Sequence, residues 1–277
     1  TGSEISIKYL NNMKISDFFI DGKPNYIASA GEIDAFSAAY QERIPVMLKG
    51  PTGCGKTRFV EHMAWKLKKP LITISCHEDM TASDIIGRYL LDSKGTYWQD
   101  GPLTFAVRNG GICYLDEIVE ARQDTTVVIH SLTDDRRVLP IEKKGELIRA
   151  HNDFHLVISY NPGYQNVVKD LKESTKQRFC ALDFTYPSFE IERDVVCAEA
   201  SVPTSIAEPL VKIASKSRNL KGTGLTEGVS TRMIIHAAKL TNAGLNFDVA
   251  CEIALVNAIT DEVELRDTLR TTISSCI

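Results

Sequence analysis

The segment Gly50-Pro51-Thr52-Gly53-Cys54-Gly55-Lys56-Thr57 spaces its glycines, lysine and threonine as G-x-x-x-x-G-K-[ST]. Gly50, Gly53 and Gly55 let a backbone wrap closely around an anion, with its N–H groups pointing inward. A helix starting here adds the partial positive charge of its N-terminus. Lys56 supplies a point charge for β- and γ-phosphates, and Thr57 a hydroxyl for Mg²⁺. A glycine-rich turn without a ligand is the plain alternative. The complete motif, between a strand-like run and a helical one, argues instead for ATP and Mg²⁺.

A magnesium site of this kind needs a carboxylate from elsewhere. Asp116, closing Gly111-Ile112-Cys113-Tyr114-Leu115-Asp116, provides one, directly or through water. Glu117 can then polarise the attacking water as general base. Asp-Glu after an apolar run also suits a helix cap, but its pairing with the phosphate loop favours catalysis. Asn161 closes the run at 155–160, before Pro162-Gly163. Its amide can orient the water beside a γ-phosphate, where an Asn-Pro turn is the ordinary alternative.

These groups converge only if strands deliver them to one edge. Residues 46–50, 71–75, 111–116, 155–160 and 180–184 are five short apolar runs. Residues 56–67 place Phe59, Val60, Met63, Ala64 and Leu67 on one helical face. Near-continuous apolar strands separated by helices imply a parallel sheet covered on both faces. Residues 88–103 and 136–149 each read as a β-hairpin around a glycine turn, Lys94-Gly95-Thr96 and Lys143-Lys144-Gly145. Beyond Pro187 the periodicity is helical, with no convincing strand. The expectation is an α/β nucleotide-binding core over residues 1–188, with a five-stranded parallel sheet and two hairpin insertions. An all-helical lid over 189–277 follows it.

Composition narrows the setting. Of 277 residues, 43% are hydrophobic and 25% charged, as in ordinary globular proteins. No apolar run approaches the roughly 20 residues that span a bilayer, and the first residues lack a secretory pattern. Seven cysteines without a CxxC pair read as reduced core thiols. A cytoplasmic protein with no membrane partner is expected. The net charge of −4 argues against nucleic acid as a partner.

Phosphate loop, acidic pair, Asn161 strand tip and helical tail together resemble an AAA+ ATPase. The two hairpins resemble its MoxR-like branch. Four longer stretches, GPTGCGKTRFVEHMAW (50–65), TASDIIGRYLL (81–91), YLDEIVEARQDTT (114–126) and ISYNPGYQ (158–165), are similar to the CbbQ/NirQ/NorQ group. The resemblance spans roughly residues 25–275. It implies hydrolysis of ATP to ADP and phosphate by a homo-hexameric ring with nucleotide between subunits. An arginine of one subunit would then stabilise charge on the γ-phosphate held by the next. Arg178, in Thr175-Lys176-Gln177-Arg178-Phe179, occupies that place, although the family often has Asp where Gln177 stands. Arg232, in Val229-Ser230-Thr231-Arg232-Met233, resembles the second sensor arginine, acting in its own subunit or a neighbour's. The group works with a partner carrying a von Willebrand factor A domain (CbbO-like). CbbQ-type members release tight-binding sugar phosphates from inhibited Rubisco. NorQ/NirQ-type members assemble or activate nitric oxide reductase. The resemblance leans to Rubisco as client and leaves the other open.

Nucleotide-driven movement of the lid would need an outlet, and Tyr97 and Trp98 on the first hairpin are candidate partner contacts. Lys143 and Lys144 read as a solvated turn, and Arg136 and Arg137 as local partners of Asp134 and Asp135. His77-Glu78-Asp79 lacks zinc spacing, and Asp79 or Thr81 there suits a helix cap. His62 reads as core or surface rather than a ligand. Two rivals remain. A nucleic-acid motor lacks support from an aromatic and basic stripe. A non-hydrolysing scaffold is disfavoured by the intact Glu117.

Overall fold

In a computed structural model, the structure describes residues 14–93, 95–162, 171–219 and 227–276. Lys94 of the first hairpin turn and Gly163-Tyr164-Gln165 of the fourth family-like stretch lie outside the described residues. The chain divides into two compact units. The first comprises the described parts of Thr1–Pro24, Gly31–Lys49 and Thr57–Asp183; the second comprises those of Asn25–Ala30, Gly50–Lys56 and Phe184–Ile277.

The strands of the first unit are β1 Val46–Lys49, β2 Leu71–Ser75, β3 Gly87–Asp92, β4 Gly95–Asp100, β5 Gly111–Asp116, β6 Val138–Ile141, β7 Glu146–Arg149, β8 Phe154–Tyr160 and β9 Cys180–Asp183. Five of them form one sheet in the order β2-β5-β8-β1-β9, and every pairing in it is parallel. This is the expected five-stranded parallel sheet. Its central strand β8 is buried along its whole length. A strand covered on both faces has no solvated side to make polar, so its sequence is mostly apolar, here interrupted by the buried His155 and Ser159.

Helices α1 Glu32–Gln41, α2 Lys56–Leu67, α3 Ala82–Ile86, α4 Pro102–Asn109, α5 Gln123–Val128 and α6 Glu173–Lys176 connect these strands. On α2, Phe59, Val60, Met63 and Ala64 are buried as expected. Leu67 is only half-buried, and His62 is buried instead. Burial lowers the His62 pKa, favouring the neutral ring. Thr81 precedes α3, and its N–H and hydroxyl both donate to Asp84 Oδ2. Among the described residues no group of three or more His, Cys, Asp and Glu side chains is placed to hold a metal ion.

Both hairpins are present as β3/β4 and β6/β7. Trp98 packs inward: its Nε1 donates to Asp100 and its ring meets the Tyr89 edge at 5.1 Å. The exposed apolar residues here are Tyr89, Leu91 and Tyr97, with Leu91 80% exposed. The second turn is anchored rather than freely solvated, because Lys143 Nζ donates to Ser83 Oγ and Lys144 pairs with Glu146. Arg136 does pair with Asp134, but Arg137 donates to the Phe154 carbonyl.

In the second unit the regular elements are helical among the described residues: α7 Phe189–Ala200, α8 Thr204–Arg218, α9 Thr231–Asn242, α10 Phe247–Cys251, α11 Asn257–Ile259 and α12 Val263–Ser274. Ser188, Ser230 and Asn246 cap α7, α9 and α10 through their side-chain oxygens. The core between the helices holds Val196, Leu210, Ile213, Ile234, Leu255 and Leu269. Of the cysteines, Cys54, Cys76, Cys113 and Cys251 are buried, whereas Cys180 is exposed on an edge strand. Burial pushes the Cys76 and Cys251 thiols up to about 12, keeping them protonated.

Candidate nucleotide-binding and hydrolysis site

β1 ends at Lys49, and residues 50–55 turn the chain into α2, which opens at Lys56. The turn is possible because Gly53 takes φ +71°, and a Cβ there would lie 2.8 Å from Ser230 Cβ and Oγ. A side chain would therefore be strained and would also clash. Gly50 likewise packs on Phe184 with no room for a Cβ. Tyr186 Oη donates to the Thr52 carbonyl at 3.1 Å. Lys56 Nζ donates to the Gly50 and Pro51 carbonyls at 2.7 and 2.8 Å, which holds the ammonium against the arc of the loop. Cys54 is buried among these residues. Burial raises its thiol, and Lys56 partly offsets the shift. A backbone arc closed to side chains and carrying one ammonium fits the phosphates of a nucleotide.

The carboxylates lie at the C-terminal end of β5, beside the C-terminal end of β8. Parallel pairing sets Leu115 beside Ile158, which brings Asp116 alongside Ser159. Ser159 Oγ donates to Asp116 Oδ1 at 2.5 Å, and Tyr114 Oη donates to the same oxygen at 2.6 Å. Tyr114 is fully buried. That burial, followed by the Asp116 charge, holds its hydroxyl well above the usual range, so it stays a donor. With Oδ1 taken by two hydroxyls, Oδ2 faces Thr57 Oγ1 at 3.4 Å. One carboxylate oxygen and one hydroxyl fit Mg²⁺, which keeps several waters and takes substrate phosphates as further ligands.

Glu117 follows in the left-handed region, at φ 56° and ψ 48°, and its backbone N–H donates to Ser159 Oγ at 2.7 Å. A non-glycine residue in that conformation needs surroundings that hold it there. Ser159 therefore holds the Asp116 carboxylate by donating its hydroxyl proton and the Glu117 backbone by accepting its N–H. Asn161 lies just beyond β8, two residues past Ser159. Neither Ser159 nor Tyr114 was singled out from sequence. The available signal was a serine inside the otherwise apolar run Leu156-Val157-Ile158-Ser159-Tyr160.

Arg178, just before β9, donates from Nη1 to the His130 carbonyl at 3.4 Å. Its buried Nε has no hydrogen-bond partner among the described residues. It lines a cleft of about 450 Å³ with Ser83, Trp98, His130 and Lys143. Burial and then Arg178 lower the His130 pKa, so its ring is neutral. Arg232 is the second residue of α9, and a Cβ on Gly53 would lie 3.4 Å from Arg232 Cβ. The start of α9 thus packs against the phosphate loop of the same chain.

Comparison with known proteins agrees with this geometry. Residues 45–179 match the AAA domain (dynein-related subfamily), and residues 192–276 match the CbbQ/NirQ/NorQ C-terminal domain. Protein CbbQ of Hydrogenophilus thermoluteolus is 60% identical over 92% of this chain and 96% of its own length. Protein NorQ of Paracoccus denitrificans is 54% identical over 89% and 92%. Denitrification regulatory protein NirQ of Pseudomonas aeruginosa is 51% identical over 87% and 93%. Among solved structures, RuvB of Thermotoga maritima superposes with a TM-score of 0.56 at 17% identity, covering 84% of this chain and 72% of that one. That likeness speaks for the fold.

Proposed function

This chain belongs to the CbbQ/NirQ/NorQ family of AAA ATPases, and from that premise we propose that it remodels a client enzyme with the energy of ATP hydrolysis. The loop at 50–55 and Lys56 hold the β- and γ-phosphates. Thr57 and Asp116 hold Mg²⁺, which when bound neutralises charge on the transferring phosphoryl group. Glu117 draws a proton from the attacking water, and Asn161 orients that water. Arg232 acts on nucleotide in its own subunit, a reading supported by its packing against Gly53. Arg178 serves the neighbouring subunit of a hexameric ring. It must then leave its contact with the His130 carbonyl, and a single hydrogen bond of 3.4 Å is a weak tether.

One observation carries the hydrolytic reading: Ser159 joins Asp116 and Glu117 through a single buried hydroxyl. A carboxylate serving only as a helix cap has no use for such an anchor.

The client is inhibited Rubisco, from which the ring and a CbbO-like partner with a von Willebrand factor A domain release tight-binding sugar phosphates. The 60% identity to Protein CbbQ over nearly its whole length supports this. The 54% identity to Protein NorQ supports nitric oxide reductase as the second reading. Reconstitution separates them: the purified chain, its partner and ATP are added to sugar-phosphate-inhibited Rubisco and, separately, to inactive nitric oxide reductase. Recovery of carboxylation supports the first reading. Activation of the reductase alone replaces it with the second.

A further inference from the structure

A chain of polar groups in the second unit, half-buried at the phosphate loop and buried at Glu192, runs to the helix bearing Arg232. Tyr186 Oη donates to the Thr52 carbonyl, and the Arg218 guanidinium lies over the Tyr186 ring at 3.7 Å. Arg218 ends α8. It grips Glu192 of α7 with two hydrogen bonds of 2.7 and 2.8 Å, and the Val229 carbonyl with a third. Thr231, the first residue of α9, donates its hydroxyl to Glu192 Oε1 at 2.5 Å. Three helices are therefore tied at one carboxylate that is 1% exposed. Gly53, beside Thr52, packs on Ser230, the cap of α9.

Stability alone gives little reason for this arrangement, because apolar residues often replace a buried ion pair without loss. What the pair adds is geometry. The guanidinium is a planar fork, so its grip on Glu192 fixes its angle over the Tyr186 ring. The ring in turn fixes the hydroxyl that holds Thr52. Each link is directional, and both ends lie on groups assigned to the nucleotide.

We propose that Tyr186, Arg218 and Glu192 are positioning residues that hold the phosphate loop and the first turn of the Arg232 helix in a fixed relation, coupling nucleotide affinity to turnover. The proposal rests on residues 50–57 being the nucleotide site.

The test measures Kd with a fluorescent ATP analogue, kcat by phosphate release and Tm, on the full chain. Tyr186→Phe keeps the ring and loses only the hydroxyl, so Kd should rise about fivefold, one net hydrogen bond, with kcat within about twofold. Glu192→Gln keeps the shape and loses the charge, so kcat should fall about tenfold with a smaller change in Kd. Thr231→Val replaces that variant if it fails to fold. In Tyr186→Phe/Arg232→Ala the loss in kcat/KM should be smaller than the product of the single losses, as for residues on one network. A purely structural role predicts a lower Tm with multiplicative losses. Unchanged Kd and kcat in the single variants, or strict multiplication in the double variant, overturns the proposal. Lys56→Ala separates this from the premise: if it binds nucleotide normally the site assignment fails, whereas its failure to bind beside wild-type behaviour of Tyr186→Phe and Glu192→Gln defeats the positioning role alone.

Discussion

Removing the Ser159 hydroxyl should damage two functions with one atom. Ser159 is fully buried, gives its proton to Asp116 Oδ1 at 2.5 Å and accepts the Glu117 N–H at 2.7 Å. In Ser159→Ala the Asp116 carboxylate loses a charge-assisted hydrogen bond worth about 1.5–3 kcal/mol. The Glu117 N–H loses its Ser159 acceptor, at a cost of about 1–3 kcal/mol. Because both losses centre on the same oxygen they overlap, and a total of about 2–5 kcal/mol follows, or roughly 5–15 °C in Tm. The effect on turnover comes from Glu117, whose left-handed backbone loses the anchor that holds it. A displacement of about 1 Å at a catalytic group costs on the order of a hundredfold in rate. Tyr114→Phe is the control. It removes the other donor to Asp116 Oδ1 and leaves the Glu117 anchor intact, so stability falls by a similar charged hydrogen bond while kcat falls less than about tenfold. The assay is phosphate release at saturating Mg-ATP, with ATP affinity measured on the same preparations. Ser159→Ala with near-wild-type kcat, or Tyr114→Phe slower than Ser159→Ala, would refute the idea that this hydroxyl places the base.

Three further outcomes are expected. Lys56→Ala should lose ATP binding in a fluorescent-nucleotide titration, whereas Glu117→Gln should bind ATP and hydrolyse it about 10²–10⁴-fold more slowly, the range of a lost general base. Gly53→Ala forces a side chain into φ +71° against Ser230; the conformation alone costs about 1–2 kcal/mol, so ATP affinity should fall at least about fivefold, read by the same titration. His155 is buried between Phe36 and Tyr40, and that burial, followed by Arg137, pushes its pKa down to about 3. The unfolded chain takes up this proton near pH 6.5 and the folded chain does not, so stability is intact above about 6.5 and falls by up to about 1.4 kcal/mol per unit as pH drops below it. Urea midpoints from pH 7.5 to 5 should show a flatter pH dependence in His155→Phe than in the parent chain.

Which parts of this molecule were legible in its sequence follows from which interactions are local. A parallel strand buried on both faces leaves a contiguous apolar run, so the limits of β2 and β5 could be read to the residue. The glycine turns of both hairpins are likewise punctuation within a few residues. The phosphate loop is legible for the same reason: one turn builds the whole cradle, so its residue types stand at fixed spacing. The groups that hold these residues are of another kind. Ser159 reaches Asp116 only because β8 pairs with β5 in one particular register, and no local pattern records the register of strands so far apart in the chain. Tyr186 just before α7, Glu192 of α7 and Arg218 of α8 meet only through the packing of these segments, and each, read alone, is an ordinary residue. Arg137 was misread for a related reason: nearby aspartates suggested a local pair, but an acceptor in β8 lies within its reach.

That division has a physical consequence for the site. Groups that touch the ligand can be supplied by short segments, because a ligand is small and one turn or one strand tip surrounds it. Holding them to within a fraction of an ångström requires partners from different elements, since a single segment has too few contacts to fix its own position. Ser159 is such a partner for Asp116 and the Glu117 backbone, and the Glu192–Arg218 pair, through Tyr186, is the one proposed for the phosphate loop. Ser159 and Glu192 are buried, and both link residues that are far apart in the chain. Substitutions at these positions should therefore alter turnover while the ligand-contacting motifs remain intact, and a scan confined to those motifs would leave such losses unexplained.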